Sequence, residues 1–155
     1  MISNNICDKT DDKKTDDNKT DDNKSDELIF SIDVSLEQSA SFKGQYSSVT
    51  MIPFSAKTEG KYFTGKTIFN GCDTQISDKN VFSLSARYML LGQDYTGQDC
   101  SVFIENTGNS LENCIPKIIT NSQALAFLES AELYSVVLPS PDGMYVTVKI
   151  FAKKL

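Results

Sequence analysis

The run VFSLSARYMLL, residues 81–91, decides the fold class. Its side chains alternate between two faces of an extended chain. The apolar face has Leu84, Ala86, Tyr88 and Leu90, and the more polar face has Ser83, Ser85, Arg87 and Met89. Alternation with a period of two is typical of a β-strand. Residues 92–97 predict a turn and residues 100–106 a returning strand, so this part of the chain predicts a β-hairpin.

The same pattern recurs on both sides of that hairpin. It predicts further strands at residues 28–36, 49–57, 66–69, 133–138 and 144–151. Pro53 places the second of these at a sheet edge or a bulge, because proline cannot donate to the ladder. The Pro-Asp-Gly sequence at 141–143 predicts a tight turn between the last two strands. The polar stretch 38–48 predicts a loop.

One segment has helical spacing. Thr120 and Gln123 resemble a capping box, and an apolar stripe follows it at Ala124, Leu125, Phe127, Leu128 and Ala131. This predicts one short helix packed against the sheet. About seven or eight short strands with one helix and no β-α-β alternation predict a mainly β fold. We expect a single small antiparallel β-barrel over residues 28–155, because closing the sheet removes exposed edges.

Residues 1–27 are built differently. The unit Lys-Thr-Asp-Asp-Asn repeats with a period of five, and no apolar residue occurs from Asp8 to Glu27. Such a segment cannot bury enough surface to offset its ordering entropy, so we expect a disordered acidic tail. The paired aspartates lack the glycine and distal glutamate of an EF-hand loop, which argues against a dedicated calcium site.

Composition excludes several function classes. The chain has no histidine, which removes Ser-His and Cys-His catalysis and the commonest transition-metal ligand. The tail carries a net charge of −4 out of −6, so the remainder is close to neutral and nucleic-acid binding is not expected. No apolar run of about 18 residues is present, so no membrane span is expected. We expect no metal and no cofactor.

The four cysteines, Cys7, Cys72, Cys100 and Cys114, form no C-x-x-C pair. We expect the last three to be buried free thiols, with one disulfide among them as the alternative. A cytoplasmic location is expected because no signal peptide is visible at the N-terminus. Cys7 before a charged tether also resembles the start of a mature lipoprotein, and a cell-surface anchor is the alternative if an upstream signal is missing.

The candidate site lies around residues 71–75. Asp73 and Gln75 share one face of an extended chain. If the polar face of residues 81–91 points into the barrel, Arg87 meets Asp73 or Glu105 there. Arg87 then anchors a carboxylate or enolate oxygen, Asp73 or Glu105 acts as acid or base, and Tyr88 adds a hydroxyl. The alternative is a structural ion pair at the barrel rim.

Three motifs in order, Gly60-x-x-Phe63-x-Gly65, residues 71–75 and Ala86-Arg87-Tyr88-Met89-Leu90, resemble the signature of a bacterial family known as the domain of unknown function DUF3237 (UPF0311-like). The resemblance covers residues 28–152. It implies a small β-barrel of lipocalin-like or allene-oxide-cyclase-like appearance and no established activity. Family members often carry an aspartate where this chain has Ser85.

Three functions fit these residues. The first is a barrel that binds a small apolar or carboxylate-bearing molecule. The second is a cofactor-free isomerase, cyclase or lyase acting through Arg87, Asp73 and Glu105. The third is a surface or interaction module, including a homo-oligomer, with the tail as a spacer.

Overall fold

The computed structural model describes residues 25–154, so the predicted tail lies outside the described residues except for residues 25–27. Ten strands follow one another along this part of the chain. They are β1 (Glu27–Leu36), β2 (Ala40–Lys43), β3 (Ser47–Glu59), β4 (Phe63–Thr67), β5 (Gly71–Asp78), β6 (Val81–Asp94), β7 (Asp99–Ser110), β8 (Asn113–Thr120), β9 (Leu133–Pro139) and β10 (Tyr145–Ala152). All of their pairings are antiparallel.

The sheet closes on itself because β1 pairs with β10 on one side and with β3 on the other. Strands β1 and β2 occupy one position beside β3, and β4 and β5 share the position between β3 and β6. The result is a closed barrel with eight strand positions, which confirms the predicted fold class. Within residues 25–154, no helix has the length and apolar character needed to cross a membrane.

Alternation along each strand decides which side chains fill the barrel. On β6, Leu84, Tyr88 and Leu90 are buried, whereas Val81 and Leu91 on the other face are exposed. One half of the interior is filled by large apolar side chains from several strands. They include Phe30, Ile32, Phe63, Leu90, Ile104 and Ile150. Burying such side chains stabilises the fold by about 1.5–3 kcal/mol each.

Pro53 lies where the partner of β3 changes from β1 to β2. Its carbonyl oxygen accepts a hydrogen bond from the Glu37 backbone N–H at 2.8 Å, and the register shifts by one residue across residues 37–39. The irregularity opposite Pro53 therefore accommodates the residue that cannot donate to the ladder. The predicted loop at 38–48 was wrong in part, since β2 lies within it and its side chains are all exposed.

The predicted helix is present only as one short 3₁₀ turn. Strand β8 runs on to Thr120, and the segment after it forms a single 3₁₀ turn at Ala126–Glu129. Leu125 and Leu128 are almost fully buried, so the apolar stripe still packs against the barrel, as an irregular plug. Strand β8 itself was missed because Pro116 interrupts its alternation. The proline is tolerated because only Cys114 of β8 is in register with β9, at Ser135.

Candidate functional site

The barrel interior beyond the packed half is a cavity of about 210 Å³. The residues around it come from nearly every strand position and from the turns at one barrel end. They are Val34, Leu36, Ile52, Phe54, Asp73, Gln75, Leu84, Ala86, Tyr88, Asn106, Leu111, Val137, Pro139, Gly143, Val146 and Val148. Twelve of the sixteen carry apolar side chains or none, so the cavity favours a mostly apolar molecule.

A glycine shapes the boundary between the packed half and the cavity. A Cβ on Gly71 would lie 2.7 Å from the Phe54 ring and 2.7 Å from the Tyr88 Cβ. Because Gly71 has no side chain, the rings of Phe54 and Tyr88 meet edge to face, with centroids 5.2 Å apart and planes at 74°. This aromatic pair forms one wall of the cavity.

Asp73 and Gln75 both face the cavity from β5, as the alternation predicts. The Gln75 side-chain amide donates a hydrogen bond to Asp73 Oδ2 at 2.8 Å. Burial raises the pKa of the Asp73 carboxyl, while the hydrogen bonds from Gln75 and from the Ser85 backbone act in the opposite direction. Asp73 Oδ1 is buried and has no hydrogen-bond partner among the described residues.

Tyr88 and Asn106 add further polar groups. The Tyr88 hydroxyl is buried and unpaired within the described part of the chain, and burial raises its pKa strongly, so the hydroxyl stays protonated. Asn106 lies in register with Ala86, which in turn lies in register with Asp73. The Ser135 hydroxyl donates to Asn106 Oδ1 at 2.9 Å and fixes the amide. Two residues of the cavity wall, Asp73 and Tyr88, therefore each carry a buried polar atom without a partner among the described residues.

Arg87 and Glu105 do not join this group. The Arg87 side chain is 67% exposed and its Nε lies 2.5 Å from Glu105 Oε2. The condition for an inward Arg87, a polar face of β6 turned into the barrel, is not met, because the more apolar face turns inward and Arg87 lies on the other one. Arg87 and Glu105 form a structural ion pair on the barrel exterior, whereas the Asp73 side chain points into the barrel.

Sequence reasoning missed Asn106, which lines the cavity, and Ser135, which holds its side chain. Asn106 alternates with the buried Val102 and Ile104 on β7, which places it on the inner face. That alternation was readable from the sequence. The contact between Asn106 and Ser135 was not, because it joins strands far apart in the chain.

A second cluster of polar side chains lies at the other end of the barrel and closes it. Asp94 is only 6% exposed and accepts hydrogen bonds from the hydroxyls of Thr96 and Ser122, the latter at 2.6 Å. These bonds lower the pKa of Asp94 to about 2. Ser122 also accepts from the Leu125 backbone N–H, so the network ties the turn after β6 to the plug.

The described residues offer no metal site. Among residues 25–154, no three side chains of the histidine, cysteine, aspartate or glutamate type come close enough together to hold an ion. Cys72, Cys100 and Cys114 are free thiols, as expected, but only the last two are buried, and Cys72 is half-buried. Burial raises the pKa of both buried thiols, which makes them poor nucleophiles.

Comparison with known proteins bears on the fold. No family model matches the sequence, and no curated protein is similar to it in sequence. Among solved structures, a Clostridium acetobutylicum protein of unknown function has a TM-score of 0.70 at 22% identity, over 83% of this chain and 97% of that one. A β-barrel-like protein from Acinetobacter baumannii has a TM-score of 0.67 at 18% identity, over 83% and 94%.

A third solved structure is an enzyme from Penicillium herquei. Its TM-score is 0.59 at 13% identity, over 81% of this chain and 94% of that one. At these identities the likeness concerns the fold alone. The chain is therefore similar in fold to a protein of unknown function, to a β-barrel-like protein and to a protein described as an enzyme.

Proposed function

We propose that this protein is a small-molecule-binding β-barrel whose ligand occupies the cavity beside Asp73 and Tyr88. The observation that supports it is an apolar cavity whose wall includes two polar atoms without a partner within residues 25–154, Asp73 Oδ1 and the Tyr88 hydroxyl. A buried polar group without a partner costs about 1–3 kcal/mol. A ligand that supplies both partners recovers that free energy on binding.

The cavity volume limits the size of the ligand. Drug-sized pockets span about 300–1,000 Å³, whereas an apolar cavity of about 150 Å³ accommodates benzene. At about 210 Å³, this cavity fits one aromatic ring or a short branched chain with one polar end. The support for a carboxylate-bearing ligand came from an inward Arg87, and the exterior position of Arg87 removes it.

The test is a thermal-shift screen of small one-ring compounds against the wild type and against a variant whose cavity is partly filled. Ala86 lines the cavity, so Ala86→Leu fills part of it, whereas Ser85→Leu adds the same side chain to the outer face of the same strand. At a ligand concentration of about 100 Kd, binding stabilises the protein by about 2.7 kcal/mol, which raises the melting temperature by several degrees. We expect this shift in the wild type and in Ser85→Leu and none in Ala86→Leu. Equal shifts in all three proteins, or none in the wild type, contradict the proposal.

A cofactor-free enzyme is the second candidate. The raised pKa of Asp73 favours it, since a carboxyl held at a poorly solvated cavity wall can exchange a proton with a bound molecule. Arg87 has no part in this version. Incubating bound compounds with the wild type and with Asp73→Asn, followed by mass spectrometry, tests it. Product formed equally by both proteins rules out acid–base catalysis by Asp73.

A further inference from the structure

We infer that the cavity selects small, mostly apolar amines over the matching alcohols and carboxylic acids, with Asp73 as the partner of the ammonium group. This inference rests on the proposed function and specifies the chemical class of its ligand. It follows from the charge of the cavity, from the hydrogen-bond capacity of its wall and from the aromatic pair.

The formal charge that the cavity lining can carry at neutral pH is negative. Among the described residues that line it, Asp73 is the one carboxylate, and neither lysine nor arginine is present. Arg87, on the neighbouring strand, faces outward and is already paired with Glu105. The nearby Cys114 thiol stays neutral, because burial and the charge of Asp73 both raise its pKa. A bound carboxylate would therefore meet the Asp73 carboxyl with no cation nearby to compensate a second negative charge.

The wall offers acceptors for a cationic group, beside donors from the Tyr88 hydroxyl and from the Asn106 amide, whose oxygen accepts from Ser135. The Gln75 amide nitrogen points to Asp73 Oδ2, which leaves the Gln75 carbonyl oxygen as an acceptor next to the unpaired Asp73 Oδ1. The Tyr88 oxygen is a third acceptor in the same cavity. An ammonium group has three donors and no acceptor, so these three acceptors can take all of its hydrogen bonds.

The burial of Asp73 and the nearby aromatic rings also favour a bound ammonium group. Burial disfavours the charged form of Asp73, so an ammonium beside Oδ1 stabilises a carboxylate that is otherwise poorly solvated. The Phe54 and Tyr88 rings form a wall that can pack on a hydrocarbon ring and attract a cation. A single ring with a two-carbon amine chain fits the cavity volume of about 210 Å³.

Three probes with one hydrocarbon skeleton test the inference by isothermal titration calorimetry at neutral pH. They are 2-phenylethylamine, 2-phenylethanol and phenylacetate. Hydrogen bonds between charged groups are about twice as strong as neutral ones, so we expect the amine to bind about tenfold more tightly than the alcohol, with the acid weakest. In Asp73→Asn, the preference for the amine should fall to about twofold or less. Asp33→Asn is the matched control, because it removes one exposed carboxylate from β1, and it should keep the preference.

The wild-type comparison decides the inference even if Asp73→Asn does not fold. Equal affinity for amine and alcohol, or a preference for the acid, overturns the amine assignment and leaves the binding function standing. A preference that survives in Asp73→Asn also overturns it. If the thermal-shift screen finds no apolar ligand and none of the three probes binds, the proposed function fails together with the inference.

Discussion

Replacing Tyr88 by phenylalanine should stabilise this protein. The Tyr88 hydroxyl is buried and has no partner among the described residues, while the ring packs edge to face on Phe54. Tyr88→Phe removes the oxygen and keeps the ring, so it abolishes the desolvation cost without losing the aromatic contact. The same change removes one of the two polar groups that we assign to ligand binding.

The magnitude follows from the cost of an unpaired buried polar group, about 1–3 kcal/mol. Part of that gain is offset by the small space left by the oxygen, so we expect the free energy of unfolding to rise by about 1–2 kcal/mol. For a folded region of this size, each kcal/mol corresponds to about 3–5 °C in melting temperature. Ligand affinity should fall about two- to tenfold, the worth of one neutral hydrogen bond.

Urea denaturation of the ligand-free proteins measures the first effect. The matched control is Tyr62→Phe, since the Tyr62 hydroxyl donates to the Glu27 carboxylate at 2.5 Å and its loss should lower stability. An increase of the midpoint in Tyr88→Phe with an unchanged slope, and a decrease in Tyr62→Phe, is the expected pair of results. A loss of about 1 kcal/mol or more in Tyr88→Phe would refute the reasoning, because it would show that the hydroxyl is paired in the folded protein.

Three other predictions concern the packing, the closed end and the exterior of the barrel. Gly71→Ala should lower the free energy of unfolding, measured by urea denaturation, by about 1–3 kcal/mol. The added Cβ would lie 2.7 Å from the Phe54 ring and 2.7 Å from the Tyr88 Cβ. Gly60→Ala, whose nearest atom is 3.9 Å away, should be close to neutral, and equal losses would contradict the packing argument. Asp94 has a folded pKa of about 2, below its unfolded value of about 3.9, so its contribution is present above pH 4 and is lost as pH falls towards 2. The stability difference between the wild type and Asp94→Asn should therefore shrink between pH 6 and pH 2.5, and a constant difference would argue against the assignment. Arg87→Ala should change stability by no more than about 1 kcal/mol and leave ligand-induced thermal shifts intact, whereas loss of those shifts would place Arg87 in the site.

The strands could be predicted where alternation is regular. Residues 28–36, the hairpin that starts at residue 81 and the Pro-Asp-Gly hairpin all carry local signals, and the structure has strands at each. Closure into a barrel followed from the number of strands and the absence of β-α-β units. The pairing of β1 with β3 and β10 could not be predicted, because register between distant strands is set by packing that a single sequence does not display.

The predicted helix is reduced to one 3₁₀ turn because tertiary contacts override the local pattern. Thr120 ends β8, and the Ser122 hydroxyl is bound to Asp94. Leu125 and Leu128 are buried under the barrel, which an irregular segment achieves as well as a helix does. Apolar spacing over one or two turns does not distinguish the two.

The candidate site was predicted in part. Alternation correctly put Asp73 and Gln75 on one face, and that face turned out to line the cavity. The position of Arg87 could have been settled by the same rule, since the face with Leu84, Tyr88 and Leu90 is the one that burial favours. The unpaired state of Tyr88 depends on the surroundings of a single hydroxyl, which no sequence pattern reports.

A crystal structure of the protein with 2-phenylethylamine tests the central claim most directly. We predict the ring in the cavity against Phe54 and the amine nitrogen about 2.7–3.1 Å from Asp73 Oδ1. Binding of the probe only on the outer surface, or a cavity that side chains have filled, would contradict the account.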